Sequence, residues 1–493
     1  MILPLNLRIG RPMHRSLLVL CAAALLAGCQ FMGSIPDRVE PVAVIAPPRP
    51  ARNAADEAIG ARENPRVVAE YGGVYSDRQV EEAIARIVSG LVAASDDPSR
   101  SYKVTILNSP VANAFALPGG YLYITRGLIA LTNGSSELAA VLSHEMAHVL
   151  LNHAVARARI AEQADIVERV ATDVISDPGV SRTARSDSRL GLATFSRNQE
   201  IEADRIGITI AGRAGHDPFA ASHFLDRLEA YAAFRSALGK DDDAASFLAS
   251  HPAAMERREL AVVVARQFGA PGIGNKSQDS YLAALDGMIY GDDPSEGFVR
   301  GREFLHPRLT IGFQVPSAYR LENTKEAVLA AAGEDTAMRF DGVTVEADVV
   351  PTEYLASGWI NGLIEGSIRE STVNGLAAAT AEAAAGEWVF RIGVVRVGAS
   401  MYRLIFADRT DGPAIEQALQ ETLATFHRLS PSEVARLRPL RINLVVARPG
   451  DTVASMATRM EGTERKLELF RLLNGLGPDD TLIAGQPVKL VSD

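Results

Sequence analysis

Residues 137–153, Glu-Leu-Ala-Ala-Val-Leu-Ser-His-Glu-Met-Ala-His-Val-Leu-Leu-Asn-His, constrain this chain more tightly than any other stretch. Leu138, Val141, Leu142, Val149 and Leu150 recur at helical spacing, so the segment reads as a helix with apolar faces, capped by Ser135 or Ser136. On that helix His144 and His148 stand one turn apart and project side by side, so both imidazoles can reach one metal ion. Glu145 lies next to His144 around the helix, where it can hold a metal-bound water without ligating the metal. The His-Glu-x-x-His pattern belongs to zinc hydrolases, and it needs a third ligand and a suitable compartment from the rest of the chain.

The compartment is written at the N-terminus. Arg8, Arg11 and Arg15 precede an apolar run, Leu17 to Leu26, too short to span a bilayer as a permanent helix. It ends in Leu26-Ala27-Gly28-Cys29, which resembles a bacterial lipoprotein signal in which Cys29 becomes the lipidated first residue. Residues 1–28 then form a signal peptide, starting at Met1 or Met13. Cys21 and Cys29 are the only cysteines, so the cleaved chain has no disulfide framework and no thiol catalyst. Acyl chains on Cys29 would anchor it to a membrane, and Gln30 in place of Asp favours the outer over the inner membrane. Residues 29–69, with Pro36, Pro41, Pro47, Pro48, Pro50 and Pro65, read as an extended tether holding a periplasm-facing globular part.

That part is large enough, within 493 residues, for two to four domains. A net charge of -10, without Lys and Arg interleaved with aromatics, argues against nucleic acid as a partner. Val80, Ile84, Ile87, Val88 and Leu91 predict a helix over 77–94, capped by Ser76 or Asp77. Strands are expected over 101–108, 111–117 and 120–125, the last two joined by the Pro118-Gly119-Gly120 turn. An exposed strand edge beside the metal can bind an extended substrate as an added strand, and Asn113, Ala114, Phe115 and Ala116 are the candidate edge.

A metzincin would place Gly and His where this chain has Leu151 and Ala154. His153 is one residue short and is read as a surface or second-layer histidine. The alternative is a Glu from a later helix, and 196–215 supplies it. Glu200, Asp204 and Gly207 share one face there, while Glu202 points elsewhere. Glu200 can ligate zinc, Asp204 can fix the tautomer of a ligand imidazole, and Gly207 lets two helices approach closely.

Asn113-Ala114-Phe115-Ala116-Leu117-Pro118-Gly119-Gly120, His144-Glu145-Met146-Ala147-His148 and Glu200-Ile201-Glu202-Ala203-Asp204 together resemble the signatures of the HtpX and CAAX-prenyl-protease family of zinc metallopeptidases, in its soluble BepA-like periplasmic branch. The resemblance covers about residues 70–260. It implies a mainly helical gluzincin-type domain over 70–275, one zinc ion on His144, His148 and Glu200, and Glu145 as catalytic acid/base. It also implies unfolded or misassembled envelope proteins as substrates. Unlike HtpX, the chain has no expected transmembrane helix, so attachment rests on the lipid. Ser250-His251-Pro252 followed by Arg257 resembles a further family feature. His251 could hydrogen-bond the tetrahedral intermediate, or could occupy the open zinc position in a latent state. Residues 159–190 are a candidate lid.

Beyond the peptidase region, 276–302 reads as a helical connector. Leu309–Val315, Ala337–Phe340, Trp388–Val397 and Tyr402–Ala407 predict strands, and 352–365 and 413–428 predict helices. An α+β domain over 303–435 with helices on one face of its sheet follows, its role undefined. His306 and His427 are lone histidines there, structural or solvated. Residues 440–493 resemble a small βααβ LysM domain, through Arg448-Pro449-Gly450-Asp451-Thr452-Val453, Phe470–Leu476 and Leu482–Leu490. Such modules bind glycans such as peptidoglycan. No Tyr or Trp for sugar stacking lies in 454–470, so a packing role stands beside glycan binding. The alternative to a peptidase is a binding scaffold with latent activity.

Overall fold

In the computed structural model, the described residues are 54–156, 197–238, 247, 251–252, 255–274, 278–324, 327–333, 335–463 and 465–493. The signal, Cys29, most of the tether and the candidate lid at 159–190 lie outside them.

The tether ends earlier than its prolines suggest. Ala54–Glu70 is a helix with Pro65 inside it. Val67 is buried with Leu107, Tyr121 and Tyr123, and the Tyr123 hydroxyl donates to Asn64 Oδ1 at 2.8 Å. Contacts with Leu107, Tyr121 and Tyr123 thus override the extended bias of a Pro-containing segment.

Arg78–Ala94 follows as predicted, with the Asp77 carboxylate accepting from the amides of Gln79 and Val80. Three strands then form a sheet in the order Lys103–Leu107, Tyr121–Thr125, Ala114–Leu117, the first pair parallel and the second antiparallel. The short helix Arg126–Leu131 leads into the metal helix, Ser135–Leu150. Every residue of that helix except Glu137 is buried, so it is the central rod of the domain. Its cap is Gly134, which has no side chain to offer, and not Ser135 or Ser136. The Ser136 hydroxyl instead accepts from the Asp217 amide, tying the helix start to the chain after the second metal helix.

The expected connector over 276–302 divides between two bodies. Gln278–Leu285 buries Tyr281, Leu282 and Leu285 in the core around Ser135–Leu150, whereas Phe298–Arg300 is a strand of the next domain. That domain holds a seven-stranded antiparallel sheet, in the order 369–373, 376–385, 388–397, 400–408, 336–344, 328–331, 320–323. Helices do not cover one face only. Pro413–Thr425 and a four-stranded sheet, in the order 427–428, 311–314, 303–306, 298–300, pack on one face through Leu404, Phe406 and Leu419, and Pro351–Ala356 packs on the other through Leu355, Ala381 and Val394. The helix expected over 352–365 stops at Ala356 because the chain turns at Gly358, φ +87°. The other stops at Thr425, so that His427 and Arg428 can pair with Gly312 and Ile311.

The C-terminal residues have the expected strand–helix–helix–strand order: Arg441–Val446, Val453–Ala457, Lys466–Asn474 and Pro487–Ser492, the two strands antiparallel. They do not stand apart. Ile442, Met456, Phe470, Leu473 and Val491 belong to the same buried cluster as Leu138, Leu142 and Leu285.

Candidate metal centre

Two helices cross where Gly207 meets His144. A Cβ on Gly207 would lie 2.8 Å from the His144 nitrogen, so only glycine permits this approach. The crossing brings Glu200 and Asp204, on the helix at 197–213, against the imidazoles of Ser135–Leu150. His144 Nε2 and His148 Nε2 are 3.0 Å apart, and Glu200 oxygens lie 3.3 Å from the first and 3.4 Å from the second. His251 joins them from its own loop, its Nδ1 being 3.3 Å from His144 Nε2 and 2.9 Å from Glu200 Oε2.

These four side chains offer donor atoms that all lie within 4.8 Å of one another, and all four are buried. Nitrogen and oxygen ligands about 2.0–2.1 Å from one tetrahedral ion sit roughly 3.3 Å from each other. The observed separations match that spacing. Two imidazoles and a carboxylate, with a third imidazole beside them, are the donor chemistry of zinc and its neighbours rather than of calcium or magnesium.

Electrostatics make the pocket a sink for positive charge. Burial works against a charged His144, but hydrogen bonds to Asp204 and Glu200 outweigh it and push its pKa up to about 10. Burial would raise Glu200 and Asp204, yet hydrogen bonds from His144, with His251 for the first and Arg257 for the second, hold both below the usual carboxylate range. His148 is driven the other way, first by burial and then by the charge of its histidine neighbours.

The supporting contacts fix each ligand. His144 Nδ1 lies 2.9 Å from Asp204 Oδ1, which turns Nε2 toward the cluster. His148 Nδ1 meets His153 Nδ1 at 3.0 Å, and His153 Nε2 lies 3.6 Å from Glu202. His153 is therefore a buried supporting residue, not a surface one. Arg257 is the residue whose role sequence reasoning missed. Its guanidinium donates to both oxygens of Asp204, at 2.6 and 2.8 Å, and to the carbonyls of His251 and Pro252. The available signal was its position six residues after His251. Phe247 stacks on the His251 ring at 4.6 Å.

Glu145 is buried beside the cluster, its Oε1 3.4 Å from His251 Nε2. Ala114, Phe115 and Ala116 lie on the edge strand of the three-stranded sheet, which packs against the metal helix. Asn113 sits just before it, buried, its amide side chain donating to the Tyr71 hydroxyl. The Phe247 amide donates to Ala112 O, laying the His251 segment against the start of that strand. His306 and His427 lie on strands of the later α+β domain and are not members of the cluster. His306 is buried and accepts from the Leu309 amide, while His427 is half-buried near Glu433.

Residues 78–262 match the model of peptidase family M48. The mitochondrial metalloendopeptidase OMA1 of Schizosaccharomyces pombe is 28% identical over 193 residues, covering 39% of this chain and 55% of that protein. The beta-barrel assembly-enhancing protease of Escherichia coli K12 is 29% identical over 204 residues, 39% of this chain and 40% of the other. That of Yersinia pestis is 32% identical over 163 residues, 31% and 33%. The chain spans between a third and about half the length of these relatives. The matched region contains all four clustered side chains and Glu145.

Proposed function

We propose that this chain is a lipid-anchored, periplasm-facing metalloendopeptidase of a bacterial envelope that hydrolyses peptide bonds of misfolded or misassembled envelope proteins. The observation that carries the reading is the buried His144, His148 and Glu200 cluster with Glu145 beside it. A zinc ion held by those three ligands would supply a Lewis acid that acidifies bound water and polarises a carbonyl. Glu145 accepts the proton of the attacking water and returns it to the leaving amine, so the peptide nitrogen departs neutral. The edge strand Ala114–Leu117 offers main-chain hydrogen bonds to an extended segment. Recognition of that kind asks for an unfolded stretch rather than a particular sequence, which suits misfolded substrates. The signal-like N-terminus with Cys29 supports the envelope setting and membrane attachment, and the βααβ unit at 440–493 is the candidate contact to peptidoglycan.

A second reading, a binding scaffold whose peptidase is latent, draws on one observation: His251 lies within the ligand cluster. Cleavage of an unfolded protein by the zinc-loaded native chain, compared with Glu145→Gln, separates the two. The peptidase reading predicts cleavage by the native chain alone. An inert native chain would favour the scaffold, and cleavage by Glu145→Gln would overturn the role given to Glu145.

A further inference from the structure

The turn between the helix Arg126–Leu131 and the metal helix is held by two basic side chains, Lys489 and Arg227. Lys489, on the last strand of the chain, is fully buried and donates through Nζ to the carbonyls of Ala130, at 2.6 Å, and Thr132, at 2.8 Å. Arg227 takes the carbonyl between them, Leu131, at 2.8 Å, and with the same nitrogen reaches Glu137 Oε2 at 2.6 Å. Glu137, in the first turn of the metal helix, also accepts from the Asn133 amide at 2.7 Å. Three consecutive carbonyls that end one helix, and the carboxylate that begins the next, are thus satisfied in one knot.

Two further contacts seat the C-terminal unit there. Gly475, in the left-handed conformation at φ +63°, lies against Arg227 and Asn133, and a Cβ at this position would displace the Arg227 guanidinium. Residues 287–290 run along the strand Arg441–Val446, with the Gly287 amide donating to Ile442 O, the Ile442 amide to Met288 O and the Tyr290 amide to Leu440 O. Within the unit, Asn474 clamps Lys489 itself, accepting from its amide at 2.7 Å and donating to its carbonyl at 2.9 Å. Burial pushes the Lys489 ammonium well down, but a neutral amine still carries two N–H donors, so the carbonyls are satisfied in either form.

We propose that residues 440–493 are a fixed strut of the peptidase domain, and that Lys489 is a positioning residue for the metal helix. Lys489 acts on the metal site only through the 130–137 turn, which sets where Ser135–Leu150 starts and hence where His144 and His148 stand. A ligand of the C-terminal unit would then be held at a fixed distance from the metal centre, not on a swinging arm.

Hydrogen exchange on the full-length native chain tests this without a mutation. Peptides covering 135–150, 441–446 and 487–492 should open together, with protection agreeing within about tenfold and responding alike to urea. Exchange of 487–492 more than about tenfold faster, with 135–150 still protected, would overturn the strut. Lys489→Met tests the positioning role through cobalt substituted at the site, a readout that needs no turnover. The expected result is an altered cobalt absorption band and about tenfold weaker cobalt binding with the helical content retained. A folded Lys489→Met chain with the native band and affinity would overturn the role of Lys489. This second test rests on the metal-site reading: a native chain that binds no cobalt defeats that reading, while exchange still decides the strut.

Discussion

Alanine at Gly207 would drive the helices Ser135–Leu150 and 197–213 apart. Its Cβ would sit 2.8 Å from the His144 nitrogen and 2.9 Å from its Cα, where ordinary contact begins at 3.4 Å. Both neighbours are backbone, so no side-chain rotation relieves the clash, and the helices must part by about 0.6 Å, the difference between 3.4 and 2.8 Å. His144 and His148 stay on one helix, and Glu200 and Asp204 move with the other. A preorganised site tolerates about 0.5 Å, so the ligand set loses its match to one ion. Overpacking of this kind costs about 1–3 kcal/mol, and disturbed ligand support costs about 10–100-fold in metal affinity. Urea unfolding and competition with a zinc chelator read the two quantities. Gly90 supplies the control, since it lies in the helix Arg78–Ala94 with open space around it. Alanine there should stabilise the chain by about 0.5–1 kcal/mol. Unchanged stability and zinc affinity in Gly207→Ala would refute the reasoning.

Two other perturbations probe different layers. Arg257→Met removes the guanidinium that pairs with the buried carboxylates of Asp204 and Glu200, and should destabilise the chain by about 3–5 kcal/mol in urea unfolding; a loss below 1 kcal/mol would contradict its role. Burial, helped by Arg308, depresses His306 to about 4 in the folded chain, against 6.5 for an ordinary histidine. The folded state therefore resists its protonation, so its contribution is complete above pH 6.5 and is lost as pH falls toward 4. The loss is at most about 3 kcal/mol, and His306→Gln should flatten the stability profile across that window, as read by thermal unfolding.

The site was more legible than the fold around it. His144, His148, Glu200 and Asp204 could be placed because helical spacing alone decides which side chains share a face, and each motif lies on one helix. His251 could be noticed, but not its distance from Glu200, which depends on a loop. Arg257 escaped assignment because its partners, Asp204 and the His251 carbonyl, come from two other segments. The strand Leu376–Ala385 was missed because Leu-Ala-Ala-Ala-Thr-Ala-Glu-Ala-Ala-Ala has strong helical propensity. Its pairing with Trp388–Val397 and the need for small residues beneath Leu355 override that preference. Period-two burial is there, with Ala379, Ala381 and Ala383 on one face, but alanine carries too weak an apolar contrast to show it. A packing role for the C-terminal unit stood as one alternative, but the contacts that make it were not legible. A lysine in a final strand reads as a solvent-facing residue until Ala130 and Thr132 are found beneath it.

The central claim is that His144, His148 and Glu200 hold one catalytic metal ion. X-ray absorption at the metal edge, with metal content measured on the same full-length sample, tests it most directly. The expected result is one zinc per chain with two or three imidazole nitrogens and a carboxylate oxygen about 2.0–2.2 Å away. The zinc should be lost in Glu200→Ala and retained in Glu145→Gln. A chain that binds no metal, or zinc that survives Glu200→Ala with an unchanged shell, would contradict it.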